Sequence, residues 1–354
     1  MDSLIKYMKK EIPKRKDKKS IEAIEFLNIR SSEGIKTYDG IDVCGRRCIE
    51  SIREMLEKLE GEDKRVDRIS FVGYSLGGLV LRFVVGRLYD EGLFVGAIAK
   101  DTWKWQLEPV NFLCIATPHL GTLKRPVSVL TRIWNAMGPA VFVRTGRQIS
   151  LSDTFMNGLP MLMVLSDPSG CFHKALRLFG DRLTLIANIQ NDFTVRFTTA
   201  AIESTNPYTR FHSRSIDPEF PTVVTVLDGV DKQVEPWTMR RIQRVAFVAL
   251  LMPFLLLFMT VGLTSASIYA RRNKRVAETV FDSDEPSAEP QIDPRLLNGT
   301  TEQRQWMIDS LNQLPWRKIH TSIKDTNAHA AVMLRRSIVV DDHLIYLIHN
   351  VLEL

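Results

Sequence analysis

Ile69-Ser70-Phe71-Val72-Gly73-Tyr74-Ser75-Leu76-Gly77-Gly78, continued by Leu79-Val80-Leu81-Arg82-Phe83-Val84, decides how this chain is read. Ile69 to Val72 is a short apolar run of strand type, and a glycine-bounded turn follows it. From Leu76 to Tyr89 the apolar residues return in a long helical stretch. Gly-x-Ser-x-Gly is a weak signal alone, but between a strand and a helix it has a mechanical meaning. Such a turn lifts the serine oxygen above the sheet edge, over a helix N-terminus whose dipole is positive. Small residues are expected at Gly73 and Gly77 because a side chain at either would meet the neighbouring strand or helix. Ser75 is therefore the candidate nucleophile and the Leu76 N–H a candidate oxyanion donor. The plainer alternative is a glycine-rich turn without chemistry.

Outward from this turn, apolar runs alternate with helical spacings. Ile5 to about Glu11 suits a short amphipathic helix and Ile24 to Ile29 a strand. Ile49 to Leu59 repeats Ile49, Ile52, Met55, Leu56 and Leu59 at helical intervals. Val110 to Ala116 and Leu183 to Ile189 read as strands buried on both faces, and Phe220 to Leu227 as a further one. Trp316 to Ile323 forms a last strand, and Asp341 to Leu354 a last helix with Leu344, Leu347, Ile348 and Val351 on one face. This alternation predicts an α/β fold with a mostly parallel sheet flanked by helices. There is no internal repeat.

Where such a turn carries a nucleophile, an acid and then a histidine follow in the chain. Asp192, just past the run Leu185 to Ile189, stands where the acid is needed. Asp153, Asp167 and Asp181 follow no convincing buried strand; for any one of these residues the alternative is a turn or cap. Among seven histidines, His119, His173 and His212 do not suit the order. His320 lies within a strand, and His343 and His349 lie in the last helix. His329, after the loop Lys324 to Ala328, is left as the candidate base. Ser75 would attack a carbonyl while His329 takes and returns its proton, and Asp192 would fix the imidazole tautomer. That chemistry requires no metal and no organic cofactor.

Composition sets broad limits. With 354 residues, 45% hydrophobic and 25% charged, the chain can bury a full core and is not wholly disordered. The net charge of +6 is modest. The Lys-rich run Lys14 to Lys19 reads as a solvated loop or helix end, and no zinc-finger, RNP or helix-turn-helix pattern accompanies it, so nucleic acid is not expected as a partner. Cys44, Cys48, Cys114 and Cys171 form neither a disulfide framework nor a metal-ligand spacing, and Cys114 in Phe112-Leu113-Cys114-Ile115 reads as a small buried hydrophobe. The start is Lys-rich without a secretory apolar core, which favours the cytosolic side.

Several motifs together resemble the serine esterase family that includes fungal lipid-droplet phospholipases. They are Thr37-Tyr38-Asp39-Gly40-Ile41-Asp42, Ile69 to Gly78, Asn111 to Gly121 with Ala116-Thr117-Pro118-His119-Leu120-Gly121, and Ala187 to Val195. Pro315-Trp316-Arg317-Lys318 and Ala328-His329-Ala330 continue the likeness near the C-terminus. The resemblance implies an α/β-hydrolase fold and an esterase of acyl glycerolipids, with nucleophile, acid and base on Ser75, Asp192 and His329. Members of that family begin with a strand ending in a His-Gly loop that supplies a second oxyanion donor. This chain starts after that point. Loss of one such donor costs on the order of 3 kcal/mol. Truncation is expected rather than a degenerate, inactive copy, because all three site residues survive.

Val245 to Ala270 is nearly continuous in apolar residues and as a helix would extend about 39 Å, enough to span a bilayer. A single crossing would part Ser75 and Asp192 from His329. Basic residues flank both ends, Arg240, Arg241 and Arg244 before and Arg271, Arg272, Lys274 and Arg275 after, and Pro253 would kink or turn a helix. The expectation is an apolar membrane-associating insertion, a hairpin or interfacial segment that holds the site against a membrane or lipid-droplet surface. Glycan on the sequon Asn298-Gly299-Thr300 would contradict it. The expected organisation is a core over 1–235, a hydrophobic segment with basic flanks over 236–277, and an acidic Pro/Ser linker over 278–303. Residues 304–354 then complete the core. The expected location is the cytosolic face of the endoplasmic reticulum or a lipid droplet, with a lipid ester as substrate. The competing readings are a thioester or protein deacylase and a membrane-anchored pseudo-lipase that binds lipid or a partner.

Overall fold

The computed structural model describes residues 2–12, 24–97, 100, 102–122, 143–192, 194–231, 268, 292, 300–325, 328–332 and 342–352. Its sheet is built from β1 (Arg68–Tyr74), β2 (Glu108–Ile115), β3 (Leu183–Asn188), β4 (Phe211–Ser215), β5 (Val223–Asp231) and β6 (Arg317–Thr321). The spatial order is β1-β2-β3-β6-β5-β4. β1, β2, β3 and β6 run parallel, whereas β5 is antiparallel to β6, and β4 to β5. The chain thus has an α/β fold with a mostly parallel sheet, and β6 takes its place beside β3 although some 130 residues separate them.

Side-chain alternation along the strands divides two cores. Phe71, Phe112, Cys114, Leu185 and Ala187 face one core, which also takes residues of α2 (Ile41–Gly61), α3 (Leu76–Asp90), α6 (Cys171–Arg177) and α8 (Thr300–Leu311). Leu113, Ile115, Ile186 and Ile319 face the other, together with α1 (Asp2–Glu11) and Leu344, Leu347 and Ile348 of α10 (Asp342–Asn350). Both faces of β2 and β3 are buried, which is why these strands are continuous apolar runs rather than alternating ones. Shorter helices lie between and after the strands: α4 (Val143–Ile149), α5 (Met161–Val164), α7 (Phe197–Ala200) and α9 (Ala328–Ala331).

Two local expectations change. Ile24 to Ile29 is not a strand. Phe26 reaches one core and Ile29 the other, and Glu25 pairs with Lys64 at 3.0 Å, but among the described strands β1 is laddered to β2 alone. Without a neighbouring ladder an extended apolar run cannot join a sheet. The run Phe220 to Leu227 enters its strand only at Val223, because Phe220 N–H bonds back to the Asp217 carbonyl at 3.0 Å and closes a turn. β4 went unread because Phe-His-Ser-Arg-Ser offers almost no apolar signal. The segment Val245 to Ala270 lies outside the described residues apart from Ile268, as does most of 278–303. Among the described residues no helix is long and apolar enough to cross a membrane.

His320 gives this sheet an acid-sensitive point. It sits on β6 with its Nδ1 2.8 Å from the Tyr208 hydroxyl and its ring edge-on to Phe197. Burial lowers its pKa from 6.5 to about 4. The folded state therefore binds fewer protons than the unfolded chain between those values, and stability falls as pH drops through that window, by as much as ~3 kcal/mol. His320→Gln, whose amide can still pair with the Tyr208 hydroxyl, should lose less melting temperature between neutral pH and pH near 4, by roughly 5 °C. An unchanged pH dependence in thermal scans would show that His320 does not set it.

Candidate active site

Ser75 stands between β1 and α3 with φ 53° and ψ −126°, a backbone conformation unfavourable for a residue with a side chain. Two hydrogen bonds hold it: Ser75 N–H to the Ile115 carbonyl at 2.9 Å, and Gly78 N–H to the Ser75 carbonyl at 3.1 Å. The helix folds back tightly onto the strand. A Cβ on Gly73 would lie 2.7 Å from the Gly78 Cα, and one on Gly78 only 2.1 Å from Thr117 Oγ1 and 2.9 Å from Cys114 Sγ. Gly77 meets nothing within 4 Å, so the second close approach belongs to Gly78 and not to Gly77 as the motif suggests. Leu76 opens α3, where first-turn N–H groups lack acceptors within the helix.

Asp192 stands four residues beyond β3. Its Oδ1 accepts from the Thr194 N–H at 3.0 Å and the Val195 N–H at 2.7 Å. Its Oδ2 lies 2.8 Å from His329 Nδ1, and His329 Nε2 lies 3.0 Å from Ser75 Oγ. The acid side chain is 3% exposed and the imidazole 13% exposed. With a carboxylate on Nδ1, the proton belongs there and the Nε2 lone pair faces the serine hydroxyl. The structure therefore brings Ser75, Asp192 and His329 together in hydrogen-bond sequence, from the turn after β1, the loop after β3 and the short helix α9 beyond β6.

Asn188 joins the acid and base loops. Its Oδ1 accepts from the Ile323 N–H at 2.8 Å, and its Nδ2 donates to the Ile323 carbonyl at 3.3 Å and to the Gln190 carbonyl. Gln190 Nε2 donates to Ser322 Oγ at 3.0 Å, and Asn191 Nδ2 to the Lys324 carbonyl at 3.3 Å. Sequence reading passed over Asn188; a buried amide at the end of an apolar strand was the available signal. On the nucleophile helix itself, the fully buried Arg82 donates to the carbonyls of His119 at 3.2 Å and Leu165 at 2.9 Å, and to Ser166 Oγ at 3.0 Å. Burial lowers its pKa to about 10, so it stays charged at neutral pH.

The other candidates have separate duties. Asp153 accepts the Met161 N–H at 2.9 Å, and burial raises its pKa to about 6. Asp167 caps Ser169 and Asp181 sits in a short 3-10 turn. His119 is fully buried beside Trp316, and burial, with Arg82 and Lys318 adding, keeps it neutral. His173 meets the Ser310 carbonyl and His343 the Val332 carbonyl. All four cysteines are free and buried, with Cys114 fully so, and burial pushes its pKa up to about 12. Among the described residues no cluster of three or more His, Cys, Asp or Glu is arranged to hold a metal.

Residues 2–205 match the family described as Putative serine esterase (DUF676). This chain belongs to that family. Serine esterase family membership thus covers the nucleophile turn and the acid loop, whereas His329 lies beyond the matched residues and is placed by geometry. A relative named putative lipase C4A8.10, from Schizosaccharomyces pombe, is 31% identical over 185 residues, or 51% of this chain and 22% of that protein. Putative lipase ROG1 from Saccharomyces cerevisiae is 29% identical over 170 residues, 47% of this chain and 22% of that protein. Putative lipase YDL109C of the same yeast is 30% identical over 140 residues, 40% and 20% respectively. The chain spans about a fifth of the length of these curated relatives. No solved structure matches it.

Gly77 and Gly78 should separate cleanly on mutation. Gly78→Ala should destabilise the protein by about 2 kcal/mol or more through the forced contact with Thr117 and Cys114. Gly77→Ala, in open space at the start of a helix, should leave stability unchanged or raise it by about 0.5 kcal/mol. Denaturant melts of the two variants decide it; equal damage from both would contradict the packing described.

Proposed function

We propose that this chain hydrolyses acyl esters of glycerolipids, as a lipase or phospholipase, by a serine mechanism. The observation that carries the reading is the continuous relay from Ser75 Oγ to His329 Nε2 at 3.0 Å and from His329 Nδ1 to Asp192 at 2.8 Å. Ser75 attacks the ester carbonyl as its proton passes to His329, and the Leu76 N–H donates a hydrogen bond to the developing oxyanion. The imidazolium returns the proton to the leaving alcohol. Water, activated by His329, then releases the acid from Ser75. Asp192 keeps its charge throughout and stabilises the imidazolium, while its bonds to Thr194 and Val195 hold the carboxylate in place.

The ester class is supported by family membership and by the relatives' names, which are those of lipases. A glycerolipid substrate presents its ester at an interface, and the apolar segment Val245 to Ala270 with its basic flanks suits a protein that works on such a surface. We assign the chain to the cytosolic face of a membrane or lipid droplet on that basis.

Hydrolysis of a short-chain nitrophenyl ester and of phospholipid and triacylglycerol emulsions tests the reading. Ser75→Ala and His329→Ala should each lower kcat by about a thousandfold or more. Asp192→Asn should lower it by a similar order, because Asn cannot enforce the tautomer or offset the cation. Wild-type turnover equal to that of Ser75→Ala would end the hydrolase reading. Turnover of thioesters but not lipid esters would move the substrate class.

A further inference from the structure

Tyr74 occupies the position between Gly73 and Ser75 that the motif leaves open. Its side chain turns toward the base. The phenol hydroxyl donates to the main-chain carbonyl of His329 at 2.6 Å, and the phenol ring lies 5.0 Å from the imidazole with the two planes 33° apart. These contacts join residues 255 apart in the chain.

The base needs such support. His329 rides on α9, four residues long, and a helix of one turn has no stability of its own. Ala328 and Val332 anchor its ends in the core beneath the sheet. Those apolar contacts fix depth, but they are not directional and leave the imidazole free to shift along the surface. The Tyr74 hydroxyl supplies the direction. It grips the backbone of His329 and so leaves both ring nitrogens to Asp192 and Ser75. The phenol face against the imidazole restricts the ring to the plane in which Nε2 meets Oγ, and it favours the cation formed during proton transfer.

We infer that Tyr74 is a positioning residue for His329, setting the distance between base and nucleophile through its own peptide link to Ser75. The inference rests on the hydrolase reading and deepens it. Because Tyr74 and Ser75 are consecutive, any movement of the nucleophile turn carries the grip on the base with it. A hydrogen-bond relay works only in a narrow geometry, and displacement of a reacting group by about 1 Å can cost two orders of magnitude in rate.

The test is a double-mutant cycle on the full chain with a soluble short-chain ester, reading kcat and KM separately and checking each variant by thermal melt. Tyr74→Phe keeps the ring and loses the hydroxyl; it should lower kcat by about tenfold with KM within about twofold. Tyr74→Leu loses both contacts and should lower kcat by about a hundredfold. In a His329→Ala background, Tyr74→Phe should change the residual rate by less than about twofold, because the residue acts through the base it no longer has. Equal kcat in Tyr74→Phe and wild type overturns the inference, and so does an undiminished Tyr74→Phe effect in the His329→Ala background. If Tyr74→Phe melts too early to assay, substitution by a fluorinated tyrosine, which strengthens the donor at nearly constant shape, must move kcat without moving KM; failure to do so also overturns it. Wild-type turnover that survives Ser75→Ala would instead sink the hydrolase reading itself, so the two failures are distinguishable.

Discussion

The contact between Gly73 and Gly78 is the constraint from which the site is built. Strand and helix backbones come close enough there that no side chain fits at either position. That approach forces the intervening turn into a conformation an L-residue resists, and Ser75 adopts it with φ 53°. Such strain costs of order 1–3 kcal/mol, and the surroundings must over-determine it. They do so through the bond from Ser75 N–H to Ile115, the bed of Thr117 and Cys114 under Gly78, and the buried Arg82 that ties α3 to the carbonyls of His119 and Leu165.

From that fixed point the parallel sheet distributes the remaining groups. The loops after β1, β3 and β6 leave at the same end because these strands run in the same direction, and β2 spaces β1 from β3. Asn188 then makes the acid and base loops one unit, while Tyr74 attaches that unit to the nucleophile. Each tie is a directional hydrogen bond between a side chain at a strand end and the backbone of the segment beyond β6. Apolar packing, which is non-directional, could not set such distances alone.

Much of this was legible in the sequence, for reasons that differ between elements. β2 and β3 are buried on both faces, so Val110 to Ala116 and Leu183 to Ile189 announce themselves as unbroken apolar runs. The nucleophile turn has few alternatives between such a strand and helix, and Asp192 and His329 follow from chain order relative to the strands. Other parts were not legible. Ile24 to Ile29 carries strand-like residues, but pairing is a property of two segments and no single-segment pattern reports it. β4 is polar and takes its structure from β5. Gly77 was credited with a packing role that belongs to Gly78, because the motif marks where glycine occurs and not which glycine is crowded. Tyr74 gave no signal for a related reason, since its partner lies 255 residues away, and Asn188 offered only that of an amide ending an apolar strand, with its partner in the base loop 135 residues away.

The most direct measurement is the site and stoichiometry of covalent labelling by a fluorophosphonate, read by intact mass and peptide mapping on the folded protein. One adduct per chain on Ser75, abolished by Ser75→Ala and slowed by about a hundredfold or more in His329→Ala, is the result expected of a nucleophile activated through the relay. No adduct on a protein shown to be folded, or an adduct formed equally fast without His329, would contradict the account.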